Sequence, residues 1–96
     1  EEINNIVSPT EFELSQNYPN PFNPTTRIKF SVASYSSVTI KIFDVMGNEI
    51  ETILNEDTPP GIYEVNWDAS EFTSGVYFYQ LKAGAFVETK KMIFLR

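Results

Sequence analysis

Apolar residues recur at every second position along most of this chain, the period of a β-strand with one buried face. Arg27–Val32 places Ile28, Phe30 and Val32 on one side, and Val38, Ile40 and Ile42 do the same across Thr39 and Lys41. Further strands are predicted at Phe12–Leu14, at Glu49–Leu54 and at Ile62–Trp67, the last burying Tyr63, Val65 and Trp67 while exposing Glu64 and Asn66. A hairpin completes the pattern: Gly75–Leu81, a Lys82–Ala85 turn, and a second aromatic and β-branched run from Phe86 to Arg96. No segment keeps a helical period for longer than a turn. Seven short strands at spacings of about ten residues predict an all-β chain, an immunoglobulin-like β-sandwich of antiparallel strands.

The hairpin leaves two registers open. With two central turn residues Leu81 faces Phe86; with three and a bulge it faces Val87, and every later side chain changes face. In either register Met92-Ile93-Phe94-Leu95 puts two apolar groups on each face of the strand, and a small two-layer domain hides only one face.

The connections carry turn chemistry. Met46-Gly47-Asn48 marks a turn within Asp44–Asn48, and Thr58-Pro59-Pro60-Gly61 breaks the chain. Asp68 stands where its carboxylate accepts backbone N–H bonds and orders the turn toward Gly75. A catalytic Asp68 is the weaker reading, because no His, Lys or second carboxylate is implied beside it except Glu71. In Asn17-Tyr18-Pro19-Asn20-Pro21-Phe22-Asn23-Pro24, three prolines fix φ and remove donors while Asn side chains favour Asx turns. The segment is expected to be an ordered crossing loop pinned to the core by Tyr18 and Phe22. A cation site on these Asn residues is disfavoured, because hard cations draw several carboxylates.

Composition narrows the function. The 96 residues are 42% hydrophobic, with no apolar run near the roughly 18 residues that span a bilayer, so no transmembrane segment is predicted. A chain this size buries about 60–65% of its unfolded surface, enough for one modest core. With no Cys and no His, thiolate chemistry and the commonest general base and metal ligand are missing. No catalytic residue, metal site or cofactor is assigned. The net charge of −6 argues against nucleic acid. The charge is also uneven: Glu1, Glu2, Glu11 and Glu13 stand among residues 1–24 without a basic partner, whereas Lys90, Lys91 and Arg96 end the chain without an acidic one. Lys residues that blunt an exposed edge strand would explain the tail. The chain opens Glu1-Glu2 with no initiator Met or signal segment and reads as a piece of a longer protein. Residues 1–11 are then a linker from an upstream domain, and residues 12–96 the domain itself, expected to be monomeric.

Five blocks carry a resemblance: Gln16–Thr26 with its alternating Asn and Pro, Val45-Met46-Gly47-Asn48-Glu49, Gly61-Ile62-Tyr63 with Trp67-Asp68, Ser74-Gly75-Val76-Tyr77-Phe78-Tyr79, and Thr89-Lys90-Lys91-Met92-Ile93. In this order, from about Phe12 to Arg96, the chain resembles the type A C-terminal sorting domain of the type IX (Por) secretion system. That family is close to the immunoglobulin-like domain of flagellar hook-capping proteins. The resemblance marks Asn17, Pro19, Asn20, Pro21, Phe22, Asn23, Pro24, Trp67, Asp68, Gly75 and Tyr77 as structural motif positions. It implies a non-catalytic signal at the end of secreted enzymes and adhesins, recognised in the periplasm and sent across the outer membrane with its cargo to the cell surface or medium. The partners it implies are the outer-membrane translocon, shuttle proteins and an upstream cargo domain. Lys90, Lys91, Met92, Ile93, Phe94, Leu95 and Arg96 are the expected recognition residues, read by a partner that adds a strand to the open edge. The alternative is an immunoglobulin-like spacer or adhesion module that positions an upstream catalytic domain.

Overall fold

The computed structural model describes residues 9–96. Seven strands follow in order: β1 Glu13–Leu14, β2 Thr25–Val32, β3 Ser36–Phe43, β4 Glu49–Thr58, β5 Gly61–Asp68, β6 Gly75–Ala83 and β7 Phe86–Phe94. They form two sheets, β1-β2-β5 and β4-β3-β6-β7, with every strand pair antiparallel. The alternation read from sequence is the reason: Ile28, Phe30 and Val32 of β2 and Val38, Ile40 and Ile42 of β3 are all buried, Lys29, Thr39 and Lys41 between them turn outward, and Ser31 is covered where its hydroxyl donates to the Glu11 carbonyl. Tyr77, Tyr79, Leu81 and Ala83 supply the inner face of β6, and Met92 and Phe94 that of β7. The predicted immunoglobulin-like sandwich is what the chain forms. Tyr77 adds a signature of that fold: its hydroxyl donates to the Thr73 carbonyl at 2.6 Å, the tyrosine corner near the start of β6, where the connection from β5 has passed from one sheet to the other.

Trp67 is the largest wholly buried side chain. It packs among Phe22, Phe72 and Tyr77, with ring centres 5.6–5.8 Å away. Its indole N–H donates to Glu51 at 2.9 Å, so the ring is buried without leaving its polar atom unpaired. Tyr63 and Val65 of the same strand are half-buried and Glu64 and Asn66 exposed, as the alternation predicts.

Three expectations are corrected. β4 runs to Thr58 instead of ending at Leu54, with two irregularities in its pairing to β3 that accommodate Ile50 and Ile53. Tyr18 does not pin the loop: it is 68% exposed, with the Arg27 guanidinium 5.7 Å from its ring. The hairpin takes neither anticipated register. Ala83 pairs with Phe86 and Leu81 with Glu88, so the turn is Gly84-Ala85 alone. Gly84 has φ +59, and a glycine of positive φ in the first of two loop positions suits a type II′ hairpin. The displacement is two residues from the two-residue reading, so the faces of β7 match that reading although the partners do not.

Candidate functional site

β7 lies at the edge of the four-stranded sheet, where unpaired main-chain groups are expected. The proline loop, residues 16–24, occupies half of that edge. The Gln16 side-chain amide donates to the Lys91 carbonyl at 2.7 Å, and the Ile93 N–H donates to the Asn20 side-chain oxygen at 3.0 Å. Phe22 donates its N–H to the Ile93 carbonyl and accepts the Leu95 N–H, both at 3.0 Å, a parallel bridge beside Phe94. Antiparallel pairing turns the groups of alternate residues to one side. The free side of β7 therefore belongs to Val87, Thr89, Lys91, Ile93 and Leu95, and the last three are engaged by the loop. Open edge remains chiefly at Val87 and Thr89.

Buried polar contacts hold the loop. Asn17 is 2% exposed; its amide donates to the Thr26 hydroxyl at 2.9 Å and the Pro19 carbonyl at 3.1 Å, and its N–H to the Tyr79 hydroxyl at 2.8 Å. That hydroxyl in turn donates to the Ser15 carbonyl at 2.6 Å. Burial pushes the Tyr79 phenol up to about 12, opposed by the Asn17 N–H and assisted by the negative charge of Glu88. Phe22 stacks on Phe94 with ring centres 5.2 Å apart, and the Pro24 carbonyl accepts the Ala69 N–H at 2.9 Å. Pro19 and Pro21 are exposed and bring no N–H to the loop. Asn23 is also exposed.

The seven expected recognition residues divide into four groups. Met92 and Phe94 are core side chains with no exposure. Lys90 stands in the inner-face register opposite Tyr79, and its ammonium pairs with Glu88 at 3.3 Å; inward-placed charge is one way in which edge strands resist pairing. Lys91, Ile93 and Leu95 turn outward, Leu95 53% exposed. Arg96 is a tether. Its guanidinium donates to the Ser70 carbonyl at 2.7 Å and to the Phe72 carbonyl, lies 5.1 Å from the centre of the Phe94 ring, and its N–H donates to Ser74 at 3.0 Å.

Asp68 does what its position implies. Its carboxylate accepts the Ser70 N–H at 2.9 Å and the Ser70 hydroxyl, contacts that hold its carboxyl below the usual range. Among the described residues no three Asp, Glu, His or Cys side chains are placed to hold a metal ion, and no helix is long and apolar enough to cross a membrane. Sequence reading gave no role to Gln16, which ties the loop to Lys91 75 positions on, or to Tyr79, whose hydroxyl holds Asn17 from 62 positions away. It also drew nothing from the placement of Phe43 and Phe78, half-buried on the outer face of the four-stranded sheet; both stand out of phase with buried neighbours, a signal present in the alternation.

These features define a class: a small β-sandwich whose most elaborated surface is a displayed, braced terminal strand. Residues 16–95 match the family described as Secretion system C-terminal sorting domain, and the chain belongs to that family. The domain is a sorting signal of type IX secretion, which directs proteins across the outer membrane to the cell surface or the extracellular space. Comparison with curated proteins and with solved structures gives no match.

Proposed function

We propose that the type IX machinery reads this domain through the outward row Lys91, Ile93 and Leu95, and that the domain is an address label with no catalysis of its own. The observation that carries this reading is the division of the terminal strand: Met92 and Phe94 are consumed by the core, while Lys91, Ile93 and Leu95 face outward. Strand addition along Lys91–Leu95 would require displacing Gln16, Asn20 and Phe22 from those main-chain groups. A receptor that reads side chains leaves the loop in place. Lys91 supplies charge for steering, Ile93 and Leu95 supply apolar area, and Arg96 keeps the end of the strand docked. The outer-membrane translocon and its shuttle proteins are the proposed readers, with the cargo joined through residues 1–11.

A photo-crosslinking side chain at Leu95, in the domain fused to its cargo and expressed in a type IX host, tests the reading. Adducts with a translocon or shuttle component are expected at Leu95 and not at Lys29 on the opposite sheet. Equal adducts at both positions, or none at Leu95, would contradict it.

A further inference from the structure

Of the four sheet edges, three are guarded. β1 is two residues long, and β7 is closed by the proline loop between Lys91 and Leu95. β4 carries two irregularities, and Glu51 and Glu56 stand in its inner-face register opposite Ile42 and Val38. β5 has none of these devices. All eight of its residues pair with β2 in unbroken register, and it contains no Pro and no Lys. Its outer main-chain groups can be assigned from β2. Arg27 exchanges two bonds with Tyr18, and the Lys29 carbonyl takes the Ser15 N–H, all on the side away from β5. The alternate residues of β2 therefore serve Gly61, Tyr63, Val65 and Trp67, which turns the main-chain groups of Ile62, Glu64 and Asn66 to the open side. None of these three has a main-chain partner there among the described residues.

The side chains on this flank are also incompletely covered. β5 packs against β4, and Glu51 receives the Trp67 indole N–H. Tyr63 and Val65 of β5 and Ile53 and Leu54 of β4 border the core yet stay half-buried, whereas Ile28 and Ile40 of the inner strands are wholly buried. A strand set beside β5 would cover them and would give the three-stranded sheet the fourth strand that its partner sheet has. The charge of the flank sets the chemistry of that strand. Residues 49–72 hold seven Asp and Glu and no Lys or Arg. The cations at its borders are already placed: Lys41 pairs with Glu49 at 3.4 Å, Arg27 with Glu64 at 3.9 Å, Lys29 stands opposite Glu64, and Arg96 is held by the Ser70 and Phe72 carbonyls. Glu51 and Glu56, on the inner face either side of Leu54, have no ion-pair partner among the described residues. We propose that β5 accepts an extended segment of another protein, set antiparallel, with apolar residues over Leu54 and Val65 and Lys or Arg reaching Glu51 and Glu56. Main-chain bonds to Ile62, Glu64 and Asn66 would hold it. Residues 1–8 carry no Lys or Arg, and the same flank of a second copy is equally acidic, so neither brings the matching charge. The inference is independent of which residues the secretion machinery reads.

Nuclear magnetic resonance of the full chain with the blocked peptide Thr-Lys-Thr-Val-Thr-Lys-Thr tests it. The peptide should slow hydrogen exchange at the Ile62, Glu64 and Asn66 N–H groups and leave Val87 and Thr89, on the open part of β7, unchanged. N-methylation of its Thr residues, which face the β5 main chain in antiparallel pairing, should abolish binding, and N-methylation of its Val should not. Glu51→Gln with Glu56→Gln should weaken binding about tenfold, as should added salt in direction, and a peptide with Glu in place of Lys should not bind. Equal binding of the Glu peptide, protection at Val87 and Thr89 instead, or no protection at β5 would overturn the proposal. Slow exchange at Ile62, Glu64 and Asn66 in the free chain at every dilution would give the edge to residues 1–8, and protection that grows with protein concentration would give it to a second copy; either would overturn the assignment to another protein.

Discussion

The Asn20 side-chain oxygen accepts the main-chain N–H of Ile93 at 3.0 Å, joining residues 73 positions apart. With Gln16 and Phe22 it turns an exposed edge into a closed one between Lys91 and Leu95. Asn20→Ala should raise hydrogen exchange at Ile93 well above its parental rate and cost about 1 kcal/mol, the net value of one such bond. Unchanged exchange at Ile93 by nuclear magnetic resonance would mean that the loop does not close this edge in solution.

Trp67 fills the space between the sheets beside Phe22, Phe72 and Tyr77. Trp67→Ala should destabilise the domain by about 3–5 kcal/mol, from lost transfer and the remaining cavity. Against a typical total of about 5–15 kcal/mol, much of the variant would be unfolded on warming. Denaturant titration measures it, and a midpoint near that of the parent would refute this packing.

Tyr79 gives the fold an alkaline limit. Its phenol is pushed up to about 12 by burial, above the ordinary value of about 10. The raised value means that the native state favours the protonated phenol. Its stabilisation is whole below about pH 10 and is lost as pH rises through about 12. Tyr79→Phe removes the bonds to Ser15 and Asn17, should cost about 1–3 kcal/mol at neutral pH, and should flatten the alkaline decline. A decline of equal steepness in the variant, followed by circular dichroism, would assign it to other groups.

Much of the fold was legible because alternation is local: Ile28, Phe30 and Val32, or Val38, Ile40 and Ile42, declare their face without reference to the rest of the chain. The hairpin was misplaced by two residues because Ala83 suits a turn as well as a strand. The fold settles it by burying Ala83 in phase with Tyr79 and Leu81. The bracing of β7 was not legible, since nothing near Asn20 indicates that its partner is the Ile93 N–H. The same holds for Lys90, whose inward register depends on the position of the hairpin turn. The terminal seven residues read as one unit in sequence, and the structure divides them among core, inward-placed charge, tether and display.

That division is tested most directly by export. In the domain fused to its cargo, Lys91→Ser, Ile93→Thr and Leu95→Thr are exposed or half-exposed changes and together should alter stability by no more than about 1 kcal/mol. The control Arg27→Ser, Lys29→Ser and Ile62→Thr changes outward positions of the opposite sheet. In a type IX host, surface-exposed cargo should fall to background for the first variant, with cargo held in the periplasm, and stay at the parental level for the control. Parental export of a folded first variant would show that the outward row is not what the machinery reads.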